Sequence, residues 1–287
     1  MPDRSLTIRP MTGTLGADIE GIDLAQPLSN SVTAAIRQAF TDHLVLFFHD
    51  QKLTPEQHLA FSRLFGPPSR MPYIKPMEDY PDIIAVLKEA EENKISTFGN
   101  VWHSDFSFLD EPPLGSALYA REVPSHGGDT LFTNMYAAYE ALSPGLKRML
   151  DPMRAMHSGK PYGVGGIAND LRTSRSIGIE RNNPGADREI AHPVVRLHPQ
   201  SGRKALFVNP VYTTRFEDMS EAESRPLLEY LYQHSITPEF TCRLRWRSGS
   251  LALWDNRCAM HYAVNDYDGQ RRLMHRTTIA GEKPLGA

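Results

Sequence analysis

The chain carries His103-Ser104-Asp105 in one segment and, much later, His261 followed by Arg272 and Arg276. Two imidazoles and one carboxylate on one side of a metal form the facial triad that suits non-haem Fe(II) and leaves positions open for substrate and oxygen. On an extended strand, side chains two apart project from the same face, so His103 and Asp105 can grip one ion while Ser104 points away. His261 is the candidate third ligand. A His-x-Asp is weak by itself: with 11 histidines and 34 acidic residues, roughly one His-x-Asp/Glu is expected by accident. Its setting adds weight, because Trp102, Phe106 and Phe108 alternate with His103, Asp105 and Ser107, which predicts a strand with one polar face.

The arginines suggest an anionic partner. A guanidinium presents a rigid fork of donors that can hold a carboxylate through two charge-assisted hydrogen bonds. Leu273–Ala280 reads as a buried strand, so Arg272 at its start and Arg276 within it share one face and are costly there without anions. Thr130 follows Gly127-Gly128-Asp129, where glycines permit a tight turn and close backbone approach. Cys258 lies near His261, but a thiolate ligand favours zinc or iron-sulfur chemistry, so it reads as a small buried hydrophobe.

Elements able to carry these residues are legible in the pattern. Asn30–Asp42 has helical periodicity, and Leu44–Phe48 reads as a buried strand. Thr54-Pro55-Glu56-Gln57 combines a capping residue, a first-turn proline and a capping-box Gln, which predicts a helix through Leu64. Further strands are expected at Ile83–Leu87, Leu114–Ala120, Lys204–Val208, Phe240–Trp246 and Ser250–Trp254. Helices are expected at Met135–Leu142, Ser143–Leu150 and Ser220–His234. Lys88–Thr97 is polar and Ser158–Glu189 has little periodicity, so lid loops are expected near 88–100 and 158–190. Many strands with a few helices argue for an antiparallel double sheet, a jelly roll decorated by α-helices.

With 287 residues, 40% hydrophobic and 23% charged, the chain can bury a large core, and no linker composition splits it, so residues 1–287 are expected to form one domain. A net charge of -3 with interspersed signs gives no basic stripe for nucleic acid. Two cysteines are too few for a disulfide framework and fit a reducing cytoplasm. Residues Met1–Pro10 lack the apolar core of a secretion signal, and no apolar run approaches a membrane span.

Several ordered motifs together carry a family likeness: Gly16–Leu24, Trp102-His103-Ser104-Asp105, Gly127-Gly128-Asp129-Thr130, Trp254–Arg257 and His261–Arg276. Over nearly its whole length the chain resembles the taurine dioxygenase and dichlorophenoxyacetate dioxygenase family of Fe(II)/2-oxoglutarate enzymes. The resemblance implies a double-stranded β-helix in which His103, Asp105 and His261 hold Fe(II). It implies that Thr130 and Arg272 bind the far carboxylate of 2-oxoglutarate and that Arg276 lies beside the substrate anion. It further implies O2 as co-substrate, release of succinate and CO2, and a homo-oligomer.

The substrate pattern departs from that of the taurine enzymes, which contact substrate through a His and an Asn ahead of the iron ligands. Here those segments read Ser69-Arg70-Met71-Pro72-Tyr73-Ile74-Lys75 and Phe98-Gly99-Asn100-Val101. Taurine is therefore disfavoured, while a small organic anion such as another sulfonate, an alkyl sulfate or an aryloxyalkanoate is expected. Tyr73, Lys75, Phe106 and Tyr162 are the candidate substrate contacts. A zinc hydrolase would use the three ligands but leave Arg272 idle, and a non-catalytic metal-binding protein would need neither open metal positions nor an anion fork.

Overall fold

The computed structural model describes residues 6–164 and 176–287. Its larger sheet has seven strands in the order Thr7–Pro10, Ala17–Glu20, Val45–Phe48, Leu251–Asp255, Gly115–Glu122, Arg272–Ile279, Ile83–Lys88. All pairings are antiparallel except Ala17–Glu20 with Val45–Phe48. Opposite it lies a three-stranded sheet ordered Thr241–Leu244, Thr130–Asn134, Ala259–Ala263. The layers meet through Phe47, Phe132 and Trp254, whose ring centroids lie 5.8 and 5.9 Å apart in succession. This is a double-stranded β-helix, the jelly roll that the strand pattern implies.

Strand alternation divides the core into two. Leu46, Phe48, Ala117, Leu251 and Leu253 face outward onto the helices Asn30–His43 and Pro55–Arg63, meeting Ile36, Phe40 and Phe61. Their neighbours Val45, Phe47, Ala252, Trp254 and Met274 face inward against Phe132 and Met260. Arg272 and Arg276 share the parity of Met274, so the alternation that buries an apolar side chain also sends both guanidiniums into the barrel. The helices start where local chemistry dictates. Thr54 and Gln57 form a reciprocal capping box with Pro55 in the first turn, and Ser220 and Glu223 form a second at Glu221–Ser235.

The strand expected over Trp102–Phe108 does not form. His103 makes a single antiparallel bridge with His261, after which the chain turns through Asp105–Phe108, with Phe106 at φ +47°. Asn256 accounts for the departure. Its side chain accepts from the Asp105 N–H and donates to the Asp105 carbonyl, taking both backbone groups that a strand would have offered to a neighbour. The polar-face expectation fails with the strand, since Phe106, Ser107 and Phe108 are all buried. Two other strands are shorter than expected, at Lys204–Leu206 and Thr241–Leu244. Of the long segment at 158–190, residues 165–175 lie outside the described residues. Its flanks form short turns at Lys160–Tyr162 and Pro184–Asp187 and a bridge from Ile179 to Ile74.

His58 ties the helix Pro55–Arg63 to the barrel wall, with Nε2 on the Ala117 carbonyl at 3.1 Å. Burial pushes its pKa down to about 3. The folded value lies below the ordinary 6.5, so its contribution is fully present above pH 6.5 and is lost as pH falls from there toward 3, where only the unfolded chain takes up the proton. Each unit in that window removes about 1.4 kcal/mol. In urea unfolding at pH 7.5 and pH 5.0, His58→Gln is expected to show about 2 kcal/mol less acid destabilisation than the parent. Equal pH dependence in the two proteins would contradict this role for His58.

Candidate active site

The bridge that replaces the expected strand brings the two histidines together. His103 and His261 exchange backbone hydrogen bonds of 3.1 and 2.9 Å, and their rings lie 4.2 Å apart. Asp105, at the head of the turn, sets one carboxylate oxygen 3.5 Å from His103 Nε2 and 3.7 Å from His261 Nε2. One donor atom from each of the three lies within 4.8 Å of the others, and all three residues are buried. His103 Nδ1 lies 2.7 Å from the Val101 carbonyl. A carbonyl only accepts, so Nδ1 carries a proton and Nε2 is the nitrogen turned toward Asp105. Burial, reinforced by His103, holds the His261 pKa well below the usual histidine value, which keeps that imidazole neutral. A neutral His261 and an ionised Asp105 are protonation states that a divalent cation requires of its ligands.

Asp105 is buried, which alone would raise its pKa, but the Arg276 guanidinium together with His261 and His103 outweighs burial and holds the carboxyl well below the usual range. Arg276 Nη2 lies 2.7 Å from Asp105 Oδ2. Ser116 completes the contact, donating to the same oxygen at 3.2 Å and accepting from Arg276 Nη2 at 3.1 Å. The guanidinium is sandwiched between the rings of Phe106 and Trp254, at 5.8 and 5.7 Å. Thus Arg276 stands beside a candidate ligand and already has an anionic partner.

Arg272 is different. It is buried, its pKa is lowered by that burial, and its guanidinium has no carboxylate ion pair among the described residues. It faces Trp246 at 5.9 Å, and Trp246 Nε1 donates to Thr130 Oγ1 at 2.9 Å, so the three form one patch. Gly128, at φ +69°, permits this. A Cβ there would stand 3.2 Å from both Pro124 and Tyr267 and 3.4 Å from Arg272 Cδ. Asp129 turns away from the site to pair with Arg243 at 2.7 Å.

Two cavities meet at His103. The inner is lined by Val86, Leu118, Thr130, Trp254, Arg272 and Arg276 with His103 and His261. The outer and larger, about 250 Å3, is lined by Asn100, Pro161, Tyr162, Ile179, Val211 and Tyr212 among others. Phe98 and Gly99 border both. Gly99 sits at φ +84° with His103 Cε1 only 3.3 Å from where a Cβ would stand, so a side chain there would crowd the imidazole. Around the inner cavity, Arg272 Nε, Arg276 Nε, Trp254 Nε1 and His261 Nδ1 are buried without hydrogen-bond partners among the described residues. Buried donors normally find acceptors, so a pocket with several spare ones is suited to an anion.

Of the other expected contacts, Tyr162 lines the outer cavity. Phe106 instead supports Arg276 from below, Tyr73 stacks behind Tyr162 at 5.5 Å, and Lys75 is exposed. Asn100 does border the outer cavity, in the segment ahead of His103. The loop 88–100 is anchored rather than free: Thr97 hydrogen-bonds to Tyr267 and Asn265, and Glu92 accepts from Ser176. Sequence reasoning did not single out Ser116, Tyr212, Trp246 or the clamp by Asn256. Asn256 had a signal, its place in Trp254-Asp255-Asn256-Arg257, whereas the others are ordinary strand or loop residues until the barrel closes. A second buried cluster, His198, Asp255 and Cys258, is already satisfied: Arg257 forks onto Asp255 at 2.8 and 2.6 Å and His198 adds 3.0 Å. Burial pushes the Cys258 thiol well above its usual pKa, so it is no thiolate ligand.

The inner wall of the jelly-roll barrel thus carries two histidines and an aspartate beside a buried arginine that has no carboxylate partner among the described residues. Comparison with known proteins gives the class, an α-ketoglutarate-dependent dioxygenase. The model of the taurine catabolism dioxygenase TauD, TfdA family matches residues 7–278. An alkylsulfatase of Acinetobacter baylyi is 35% identical over all of this chain and 88% of its own. An alpha-ketoglutarate-dependent 2,4-dichlorophenoxyacetate dioxygenase of Cupriavidus pinatubonensis is 34% identical over 96% of this chain and 98% of its own. The crystal structure of a taurine dioxygenase from Burkholderia xenovorans superposes with a TM-score of 0.81 at 33% identity, covering 98% of this chain and 93% of that one. The chain belongs to the TauD/TfdA family.

Proposed function

We propose that this dioxygenase holds Fe(II) through His103, Asp105 and His261, binds 2-oxoglutarate against Arg272 and Thr130, and hydroxylates a C–H bond of a small organic anion. The observation that carries this reading is the buried Arg272, without a carboxylate partner among the described residues, in the cavity that also contains the two histidines. The donor set fits the metal: two imidazoles with one carboxylate suit Fe(II), and the His103 ring is oriented by the contact of its Nδ1 with the Val101 carbonyl. Bound there, iron would supply the redox chemistry by which 2-oxoglutarate and O2 become succinate and CO2 while one oxygen atom enters the substrate.

The protein's own residues provide position and exclusion. Arg272 and Thr130 orient the co-substrate by its far carboxylate, and Trp246 in turn holds the threonine hydroxyl. Arg276 keeps Asp105 ionised and aimed, and its spare Nε is available to the substrate's charged group. Phe98 and Trp254 on the cavity walls keep water from the reacting atoms. The names of curated relatives, among them an alkylsulfatase, a sulfate ester dioxygenase and a dichlorophenoxyacetate dioxygenase, support a sulfate ester, sulfonate or aryloxyalkanoate as substrate, and it is the departure of Ser69–Lys75 and Phe98–Val101 from the taurine pattern that disfavours taurine. Both cysteines are buried free thiols, in keeping with a cytoplasmic enzyme, and no helix of the described residues is long and apolar enough to cross a membrane. Assembly as a homo-oligomer belongs to the same reading, with no role for nucleic acid.

Anaerobic titration of the apoprotein with Fe(II) and 2-oxoglutarate tests the site. A visible charge-transfer band is expected in the parent, lost in His261→Ala. Loaded iron with no band would overturn the assignment, and hydrolysis dependent on zinc and independent of oxygen would favour the hydrolase instead.

A further inference from the structure

The wall of the outer cavity contains a hydroxyl pair that the reading above does not use. Tyr162 and Tyr212 are 4% and 3% exposed, and their hydroxyl oxygens lie 3.1 Å apart. Two tyrosines bring two protons, and only one can lie between the oxygens. The other has no acceptor among the described residues, although a buried donor without a partner is costly. The rings are rigidly braced. Tyr162 stacks on Phe106 at 6.1 Å and on Tyr73 at 5.5 Å, while Tyr212 packs on Phe108 at 5.0 Å and edge-on to His103 at 6.4 Å. The spare donor is therefore held in place next to a candidate iron ligand.

Its position separates it from the anion-binding groups. Arg272 and Arg276 line the inner cavity and the tyrosines the outer one, with His103 between. A substrate whose charged group turns inward toward Arg276 presents its body, not its charge, to the hydroxyl pair. The surrounding wall is mostly apolar, made by Pro161, Ile179, Pro210 and Val211, with Thr97 and Asn100 among its polar members. Arg181, also on this wall, is half-exposed and directed at the Pro161 carbonyl at 3.4 Å.

Resting on the proposed dioxygenase site, we infer that the free proton of the Tyr162–Tyr212 pair is donated to a neutral oxygen in the body of the substrate. The substrate class is then an organic acid anion with an ether-type or ester-type oxygen between its charged group and its apolar remainder. All-carbon analogues of the same length are poor substrates, because they leave the buried donor unpaired.

The experiment compares substrate-dependent succinate formation with two matched pairs, each exchanging one oxygen for a methylene: phenoxyacetate with 3-phenylpropanoate, and octyl sulfate with nonane-1-sulfonate. The parent enzyme is expected to prefer the oxygen-bearing member of at least one pair by about tenfold or more in kcat/KM. Each single Tyr→Phe variant leaves the other hydroxyl with a free proton, so the decisive protein is the double variant Tyr162→Phe/Tyr212→Phe. There the preference should fall to near unity, mainly through a higher KM for the oxygen-bearing member. Equal rates within both pairs in the parent, or a preference that survives in the double variant, would overturn the inference. So would a parent enzyme that none of the four compounds stimulates although its iron–2-oxoglutarate band forms; the site reading would then stand. Absence of that band in the parent would remove both.

Discussion

Asp105→Asn is expected to reduce substrate-dependent succinate formation by on the order of a thousandfold or more and, separately, to destabilise the metal-free protein by about 3–5 kcal/mol. The two effects have different origins. Activity is lost because the carboxylate is the one anionic member of the triad, next to two imidazoles. Stability is lost because Arg276, buried between Phe106 and Trp254, has its Nη2 on this carboxylate and its Nε unpartnered. Amidation removes the countercharge and leaves a desolvated guanidinium. His103→Gln separates the two effects: activity should fall as far, while the stability loss is smaller, since no charge is orphaned. Chemical denaturation of the apoproteins together with Fe(II)-dependent turnover reads both. Undiminished turnover in either variant would sink the ligand assignment, and equal stability of the parent and Asp105→Asn would mean that Arg276 does not depend on Asp105.

Arg272→Met is expected to weaken 2-oxoglutarate binding about 100-fold or more while stabilising the ligand-free protein by a few kcal/mol. Arg272 is buried with no carboxylate partner among the described residues, and desolvation lowers its pKa. Such a residue costs stability until an anion arrives. Methionine approximates its length, suits the Trp246 face and carries no charge, so the apoprotein gains and the co-substrate loses its fork. Each kcal/mol gained raises the melting temperature by about 2–4 °C in a protein of this size. The parent should also gain stability from added 2-oxoglutarate by mass action, and the variant should not. Thermal melts with and without Fe(II) and 2-oxoglutarate suffice. A variant less stable than the parent would show that Arg272 has a structural partner, and unchanged co-substrate dependence would remove it from the binding site.

The expected and observed structures differ most where the chemistry is. Helix starts at Thr54, Ser143 and Ser220 follow from capping residues that act within a few positions, and the structure has all three. The common face of Arg272 and Arg276 follows from strand alternation alone. By contrast, the His103 segment has the alternating pattern of a strand and is a bridge followed by a turn. Its backbone is captured by Asn256, a residue that reaches it only because the strand Leu251–Asp255 ends beside it. A long-range side-chain-to-backbone clamp leaves no periodic trace.

What the amino-acid sequence determined by itself is the chemical inventory and its local framing: which residues could bind a metal or an anion, where helices begin, and which strand faces are apolar. Ordered motifs along the chain were enough to point to the family, because short spacings such as Gly127-Gly128-Asp129-Thr130 are local facts. Only the tertiary structure decided which of those residues meet and in what state of satisfaction. Barrel closure brings His103 against His261, and it gives Arg276 to Asp105 while leaving Arg272 without a carboxylate among the described residues. It also turns Tyr212, which has no distinguishing pattern, into one half of a buried hydroxyl pair at the mouth of the site. The reason is physical. Pairing and desolvation depend on distances between segments far apart in the chain, which the packed sheets set and local periodicity does not encode.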